Sequence, residues 1–191
     1  MSGVPAGGRP RAVVVVASTR AADGTYEDRT GPVIVDALNT WGYAVTGPVV
    51  VEDGEPVGAA LRAALSTRPA VVLTTGGTGI APSDATPEQT EPLLQRHLPG
   101  IPEAIRAAGL AAGVAPAVLS RGVAGVAGPT LVVNLPGSRG GVRDALGILQ
   151  GVLEHALDQL GGGDHEPRFA EPARPLGGVA DPAVDGSGPS C

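Results

Sequence analysis

The chain reads as an α/β protein, with helices on both faces of a mostly parallel sheet, and three observations predict that class. Short Val-rich runs alternate with amphipathic helical stretches, the order that strands joined by crossover helices produce. The runs are apolar throughout rather than alternating, as expected of strands covered on both sides. Polar clusters follow those runs directly, and the carboxyl ends of parallel strands are where such sheets gather ligands. A late pair of strands joined by a short turn adds an antiparallel edge, so the expected architecture is three-layer α/β/α.

At 191 residues the chain is long enough for one ordinary domain with a sizeable core. Met1–Pro10 is rich in Gly and Pro and reads as disordered. The domain spans 11–160. Arg11–Thr19 is the first strand, and a polar loop runs from Ser18 to Thr30. Gly31-Pro32 opens a helix to about Trp41, with Val33, Ala37 and Trp41 on one face. Tyr43–Val51 is the second strand, and Gly47-Pro48 within it marks a bend or an edge. Pro56 starts a helix to about Leu65, whose Val57, Leu61 and Leu65 recur every fourth residue.

Ala70–Thr75 is a buried, β-branched strand broken by Gly76-Gly77-Thr78-Gly79, where missing Cβ atoms permit a sharp turn and a close ligand approach. Thr86-Pro87-Glu88-Gln89 reads as a helix start. Thr86 is the expected N-cap, Pro87 the first helical residue, and Gln89 closes a capping box. Ile101-Pro102 begins the next helix, with Ile101, Ile105 and Leu110 as its apolar contacts. Val118–Val126 and Thr130–Leu135 read as two strands joined at Ala127-Gly128-Pro129. From about Gly141 to Leu160, Val142, Leu146, Leu149, Leu153, Leu157 and Leu160 mark an amphipathic helix. Gly161-Gly162-Gly163 stops it, and 161–191 reads as a disordered Gly/Pro-rich tail or a severed linker.

Composition removes several function classes. The net charge is −6 and no basic run exists, which argues against a nucleic-acid surface. The chain contains no lysine, which excludes a lysine Schiff base, a lysine phosphate clamp and the Gly-Lys-Ser/Thr of a P-loop. The G-x-G-x-x-G spacing of a dinucleotide fold is also missing. No stretch is long enough to span a membrane, and the apolar run after Arg11 is too short for a signal peptide. The single cysteine, Cys191, permits no intrachain disulfide and has no basic neighbour to activate it. His97, His155 and His165 lack metal-ligand spacing. A cytoplasmic protein is expected.

The polar clusters at strand ends are Ser18-Thr19-Arg20, Asp53, Thr75 to Asp84, and Pro136 to Arg139. Gly76, Gly77, Thr78 and Gly79 suit phosphate oxygens through outward N–H groups. Asp53 and Asp84 are the acids beside them. Carboxylates next to phosphates repel unless a cation intervenes, which points to Mg²⁺. The alternatives are local: Asp53 caps the Pro56 helix, and Asp84 ties its own loop. Pro136, Gly137, Ser138 and Arg139 either take a second phosphate or form a turn with an N-cap. Tyr26, in a glycine loop, either stacks on a ring or packs.

Thr74-Thr75-Gly76-Gly77-Thr78-Gly79 followed by Asp84-x-Thr86-Pro87-Glu88 resembles the signature of the MogA/MoaB group of molybdenum-cofactor proteins. Gly24-x-Tyr26-x-Asp28, Leu119-Ser120-Arg121-Gly122 and Asn134-Leu135-Pro136-Gly137-Ser138 extend the resemblance over Arg11 to Leu160, in order. The Mog type fits best. That resemblance implies a three-layer α/β fold, a homotrimer, and adenylyl transfer from ATP to molybdopterin with Mg²⁺. It also implies a hand-off of the product to a MoeA-type molybdate insertase. Under it, Asp53 and Asp84 are the catalytic and metal-binding acids, while Ser18, Thr75, Gly76–Gly79 and Pro136–Arg139 hold substrate. The alternatives are a non-catalytic MoaB-like or gephyrin-like scaffold and a CinA-like nucleotide hydrolase. Two positions depart from the pattern. Many relatives carry Ser-Asp where this chain has Ser18-Thr19, and Pro-Gly-Ser-Pro-Lys where it has Ser138-Arg139-Gly140.

Overall fold

The structure, a computed structural model, describes residues 8–162. Its strands are β1 (Arg11–Ala17), β2 (Ala44–Val51), β3 (Val71–Thr75), β4 (Arg96–His97), β5 (Ala124–Ala127) and β6 (Thr130–Leu135). Its helices are α1 (Thr19–Ala22), α2 (Gly31–Thr40), α3 (Glu55–Ser66), α4 (Thr86–Thr90), α5 (Gly100–Ala111) and α6 (Arg139–Leu160). One sheet has the order β2-β1-β3-β6-β5-β4. The first four strands of that order run parallel, and β5 and β4 pair antiparallel at one edge.

Alternation along the Val-rich strands divides the core into two layers. Val14 of β1, Leu73 of β3, and Leu131 and Val133 of β6 face Ile34, Leu38, Ile105, Val142, Leu146 and Leu149 from α2, α5 and α6. Val13, Val15, Val72 and Val132 face Val57 and Leu61 of α3 on the other side. The three-layer expectation is met, and β1, β3 and β6 are covered on both faces.

Several local expectations differ. β1 ends at Ala17, and a short helix occupies Thr19–Ala22 within the expected loop. The buried stripe of α2 is Gly31, Ile34 and Leu38, with Val33, Ala37 and Trp41 only partly buried beside it. Thr86 does not cap α4. Ala85 is the N-cap, Gln89 donates its N–H to the Ala85 carbonyl at 3.0 Å, and the Thr86 hydroxyl points inward, so no capping box forms. Leu110 is 46% exposed, and α5 buries Pro102, Ile105 and Gly109 instead. The expected strand from Val118 is a 3₁₀ turn at Ala115–Leu119 followed by coil, and pairing begins only at Ala124. α6 starts at Arg139, two residues before Gly141, because Ser138 caps it.

Residues 1–7 and 163–191, including Cys191 and His165, lie outside the described residues. Of the expected disordered termini, Gly8–Pro10 and Gly161–Gly162 are described. There Arg9 donates to the carbonyls of Asn39 and Gly42 at 3.0 Å each, at the end of α2. No helix among the described residues is long and apolar enough to cross a membrane.

Candidate functional site

Because β1, β2, β3 and β6 are parallel, their carboxyl ends open on one side, and a cleft of about 730 Å³ lies there. Ser18, Asp53, Thr75, Gly76, Gly77, Asp84, Gly137, Ser138 and Arg139 all line it. Thr78, Gly79 and Pro136 line a second cleft of about 430 Å³ instead. Gly137 and Ser138 border both, so the residues singled out in the sequence fall on two clefts with one common wall. The second cleft is mostly apolar, with Ile80, Ile105, Val114 and Leu119 on its walls.

The glycine turn is fixed by its neighbours. Thr75 donates its hydroxyl to the Pro136 carbonyl at 2.7 Å, tying the exits of β3 and β6 together. Gly76 has φ +91°, and a Cβ there would collide with the Ala17 carbonyl oxygen. Gly77 has φ +60°; a Cβ would collide with the Thr86 hydroxyl and come within 2.8 Å of Asp53 Oδ1. A Cβ on Gly79 would stand 2.6 Å from Asp84 Oδ2. The two acids therefore abut the same turn, two residues apart along it.

Asp53 does not cap the following helix, whose N-cap is Gly54 with no side-chain bond. Its Oδ2 accepts the N–H and the hydroxyl of Thr19, each at 3.1 Å, and the Thr19 hydroxyl also accepts the Asp53 N–H at 3.3 Å. Oδ1 is left toward Gly77. Asp84 does tie its own loop: Oδ2 accepts the Ala81 N–H at 2.9 Å. Ser138 caps α6 by accepting the Gly141 N–H at 3.1 Å, and Ser18 caps α1 in the same way.

Arg121 holds the other side of the turn. Its backbone N–H donates to the Thr78 carbonyl at 2.8 Å, and Nε and one terminal nitrogen donate to the Gly79 and Asp84 carbonyls at 2.6 Å each. Its remaining nitrogen pairs with Glu88. That bond is the main cause holding the Glu88 carboxyl below the usual glutamate range. Behind the turn, buried Asn134 donates to the hydroxyls of Thr74 and Thr90 at 2.9 and 3.0 Å, and the Val123 N–H reaches its Oδ1 at 3.2 Å. This amide locks β3, β6 and α4 at the site. Among the described residues, two buried oxygens, Asp28 Oδ2 and Thr86 Oγ1, lack a hydrogen-bond partner, and Thr86 Oγ1 faces Gly77.

The larger cleft carries four carboxylates (Glu27, Asp28, Asp53, Asp84) against three guanidiniums (Arg20, Arg29, Arg139). A polyphosphate entering it needs added positive charge. No group of three or more His, Cys, Asp or Glu side chains among the described residues is placed to hold a metal. One or two carboxylates with substrate oxygens completing the shell is the arrangement Mg²⁺ adopts beside phosphates, so Asp53 and Asp84 fit that ion.

In the sequence Thr19 stands out only within its cluster, and Asp28, Arg121 and Asn134 only within motifs. Arg121 binds carbonyls 37 and 42 residues away, a contact no local pattern announces. The signal available was the Leu119-Ser120-Arg121-Gly122 motif.

A family model described as a probable molybdopterin binding domain matches residues 13–155. The chain is 38% identical over 155 residues to the molybdenum cofactor biosynthesis bifunctional protein of Synechococcus elongatus, a match of 81% of this chain and 48% of that protein. It thus spans about half the length of that relative. It is 33% identical to the molybdopterin adenylyltransferase of Helicobacter pylori strain 26695, over 77% of this chain and 85% of that one. The solved molybdopterin biosynthesis Mog protein from Mycobacterium ulcerans superposes with a TM-score of 0.77 at 49% identity, covering 82% of this chain and 99% of that one. The sheet order, the glycine turn between two acids and these matches agree: the chain belongs to the MogA/MoaB family of molybdopterin-binding domains.

Proposed function

We propose that the chain is a molybdopterin adenylyltransferase of molybdenum cofactor biosynthesis. What supports this most is the wall that the two clefts share. A nucleotide in the polar cleft and a pterin in the apolar one would bring their phosphates together at Gly137–Ser138, beside Gly76–Gly79.

The terminal phosphate of molybdopterin attacks the α-phosphorus of ATP. The bond from that phosphorus to the oxygen bridging to the β-phosphate breaks, and pyrophosphate leaves with its electron pair. A phosphate nucleophile needs little activation, so the work falls to positioning and charge neutralisation. Thr75, Gly76, Gly77 and Ser18 line the nucleotide phosphates; Thr78, Gly79, Pro136, Gly137 and Ser138 hold the pterin side, and Arg139 lies beside the transferred group. Asp53 and Asp84 are the carboxylates for Mg²⁺, which when bound offsets phosphate charge there.

The reading includes a homotrimer and transfer of the adenylylated product to a MoeA-type molybdate insertase. Leu110 of α5 and Val118 of the following 3₁₀ turn are large apolar side chains left exposed, which a further chain could cover. Sedimentation of the full chain tests the trimer.

The reaction is tested by incubating the full chain with molybdopterin, ATP and Mg²⁺ and following pyrophosphate. Pterin-dependent release is expected. Binding with no pyrophosphate would make the chain a scaffold, and product release without pterin would make it a nucleotide hydrolase.

A further inference from the structure

Three residues at the mouth of the larger cleft have no role in the chemistry above. The guanidinium carbons of Arg20 and Arg29 sit 5.6 and 5.4 Å from the centre of the Tyr26 ring. Both distances lie within cation–π range. All three side chains line the cleft.

The loop carrying them is braced internally. Tyr26 donates its N–H to the Arg20 carbonyl at 2.8 Å, and Asp23 Oδ1 accepts the Thr25 N–H at 2.8 Å. At the far end, Asp28 Oδ1 accepts the Thr30 N–H, the Thr30 hydroxyl and the Gly31 N–H at 2.9, 3.1 and 3.0 Å. Asp28 is thereby turned toward the start of α2 rather than toward either arginine.

Two like charges brought near one ring repel each other, and the ring's negative face is what lets them stay. Arg20 forms no ion pair among the described residues, and Arg29 has only Glu27, at 4.0 Å with both side chains mostly exposed. In a chain without lysine, these are two of the three cations on the cleft. Paired guanidiniums with free donors suit the oxygens of a polyphosphate.

We infer that Arg20 and Arg29, aligned by Tyr26, form a clamp for the β- and γ-phosphates of the nucleotide, and so for the pyrophosphate that leaves. The clamp deepens the adenylyl-transfer reading and rests on it for the identity of the nucleotide. Tyr26 is a positioning residue in it, acting through the two guanidiniums.

The test is calorimetric titration of the full-length chain with Mg²⁺–pyrophosphate, Mg²⁺–ATP and AMP. Tyr26→Phe keeps the ring and is expected to bind all three as the unaltered chain does. Tyr26→Leu should weaken pyrophosphate and ATP in parallel by ~5- to 30-fold, the worth of two exposed cation–π contacts, and leave AMP unchanged. Arg20→Gln combined with Arg29→Gln should weaken pyrophosphate by ~100-fold or more, the loss of two charge-assisted contacts, again sparing AMP.

Thermal unfolding of each variant at an unchanged midpoint excludes misfolding. The clamp is overturned if the unaltered chain does not bind pyrophosphate, if Tyr26→Leu binds it equally well, or if AMP weakens as much as pyrophosphate. A chain that shows this Tyr26 dependence but never forms an adenylylated pterin keeps the clamp and loses the transferase reading. A chain that turns over ATP with pterin while Tyr26→Leu leaves pyrophosphate binding untouched does the reverse.

Discussion

Asp53 and Thr19 are joined by three hydrogen bonds across the exits of β2 and β1. The carboxylate takes the threonine N–H and hydroxyl, and the same hydroxyl takes the Asp53 N–H. The hydroxyl of Thr19 makes this a brace that leaves Asp53 Oδ1 toward Gly77.

Thr19→Ala leaves the backbone bond and removes the two that use the hydroxyl. Each such bond contributes about 1 kcal/mol net, so pyrophosphate release should fall ~5- to 30-fold. The midpoint of thermal unfolding should fall by less than the full worth of the two bonds, because Thr19 is exposed and water replaces them. Steady-state turnover at saturating ATP checks this.

Asp84→Asn keeps the size of the side chain and the acceptor that holds the Ala81 N–H, so the fold should survive. It removes a charge that the proposed reaction sets against the phosphates. Such losses cost ~100-fold or more in rate. Near-normal turnover would take Asp84 out of the reaction.

Gly76→Ala tests the turn itself. The added Cβ meets the Ala17 carbonyl at φ +91°, and that carbonyl is backbone that cannot step aside cheaply. A destabilisation of about 1–3 kcal/mol by denaturant titration is expected, with activity lost beyond what unfolding explains.

The Arg121–Glu88 pair predicts a pH effect. Glu88 titrates below its ordinary range, chiefly through the Arg121 hydrogen bond. Its contribution to stability is therefore whole above the usual glutamate pKa and fades as pH falls through the lowered folded value. Both side chains are substantially exposed, so Glu88→Gln should cost no more than about 1 kcal/mol at neutral pH. The variant and parent should converge at low pH in denaturant titrations. Arg121→Ala, which also frees the Gly79 and Asp84 carbonyls, should raise the ATP KM and lower kcat together, with Arg121→Lys restoring only part.

The sheet was legible because Val13–Val16, Val71–Val72 and Leu131–Val133 are runs that only a doubly covered strand accommodates. The convergence of Asp53, Asp84 and the glycine turn followed from the parallel order. The buried face of α2 lies one position from the expected one, with partly buried Val33 and Ala37 flanking fully buried Ile34 and Leu38. The expected Thr86 cap does not form because tertiary packing turns that hydroxyl inward against Gly77, which a local pattern cannot convey. Val118 to Val123 looked like a strand because its apolar residues are real. Instead Val118 and Leu119 stay exposed, Leu119 on the second cleft, while the segment delivers Arg121 to the turn.

The most direct test supplies ATP labelled at the α-phosphorus, with molybdopterin and Mg²⁺, and follows where the label goes. The account predicts that it appears on the pterin, one equivalent for each pyrophosphate released, and that Asp84→Asn abolishes both signals together. Label recovered as free AMP or as ADP, at a rate indifferent to pterin, would contradict it.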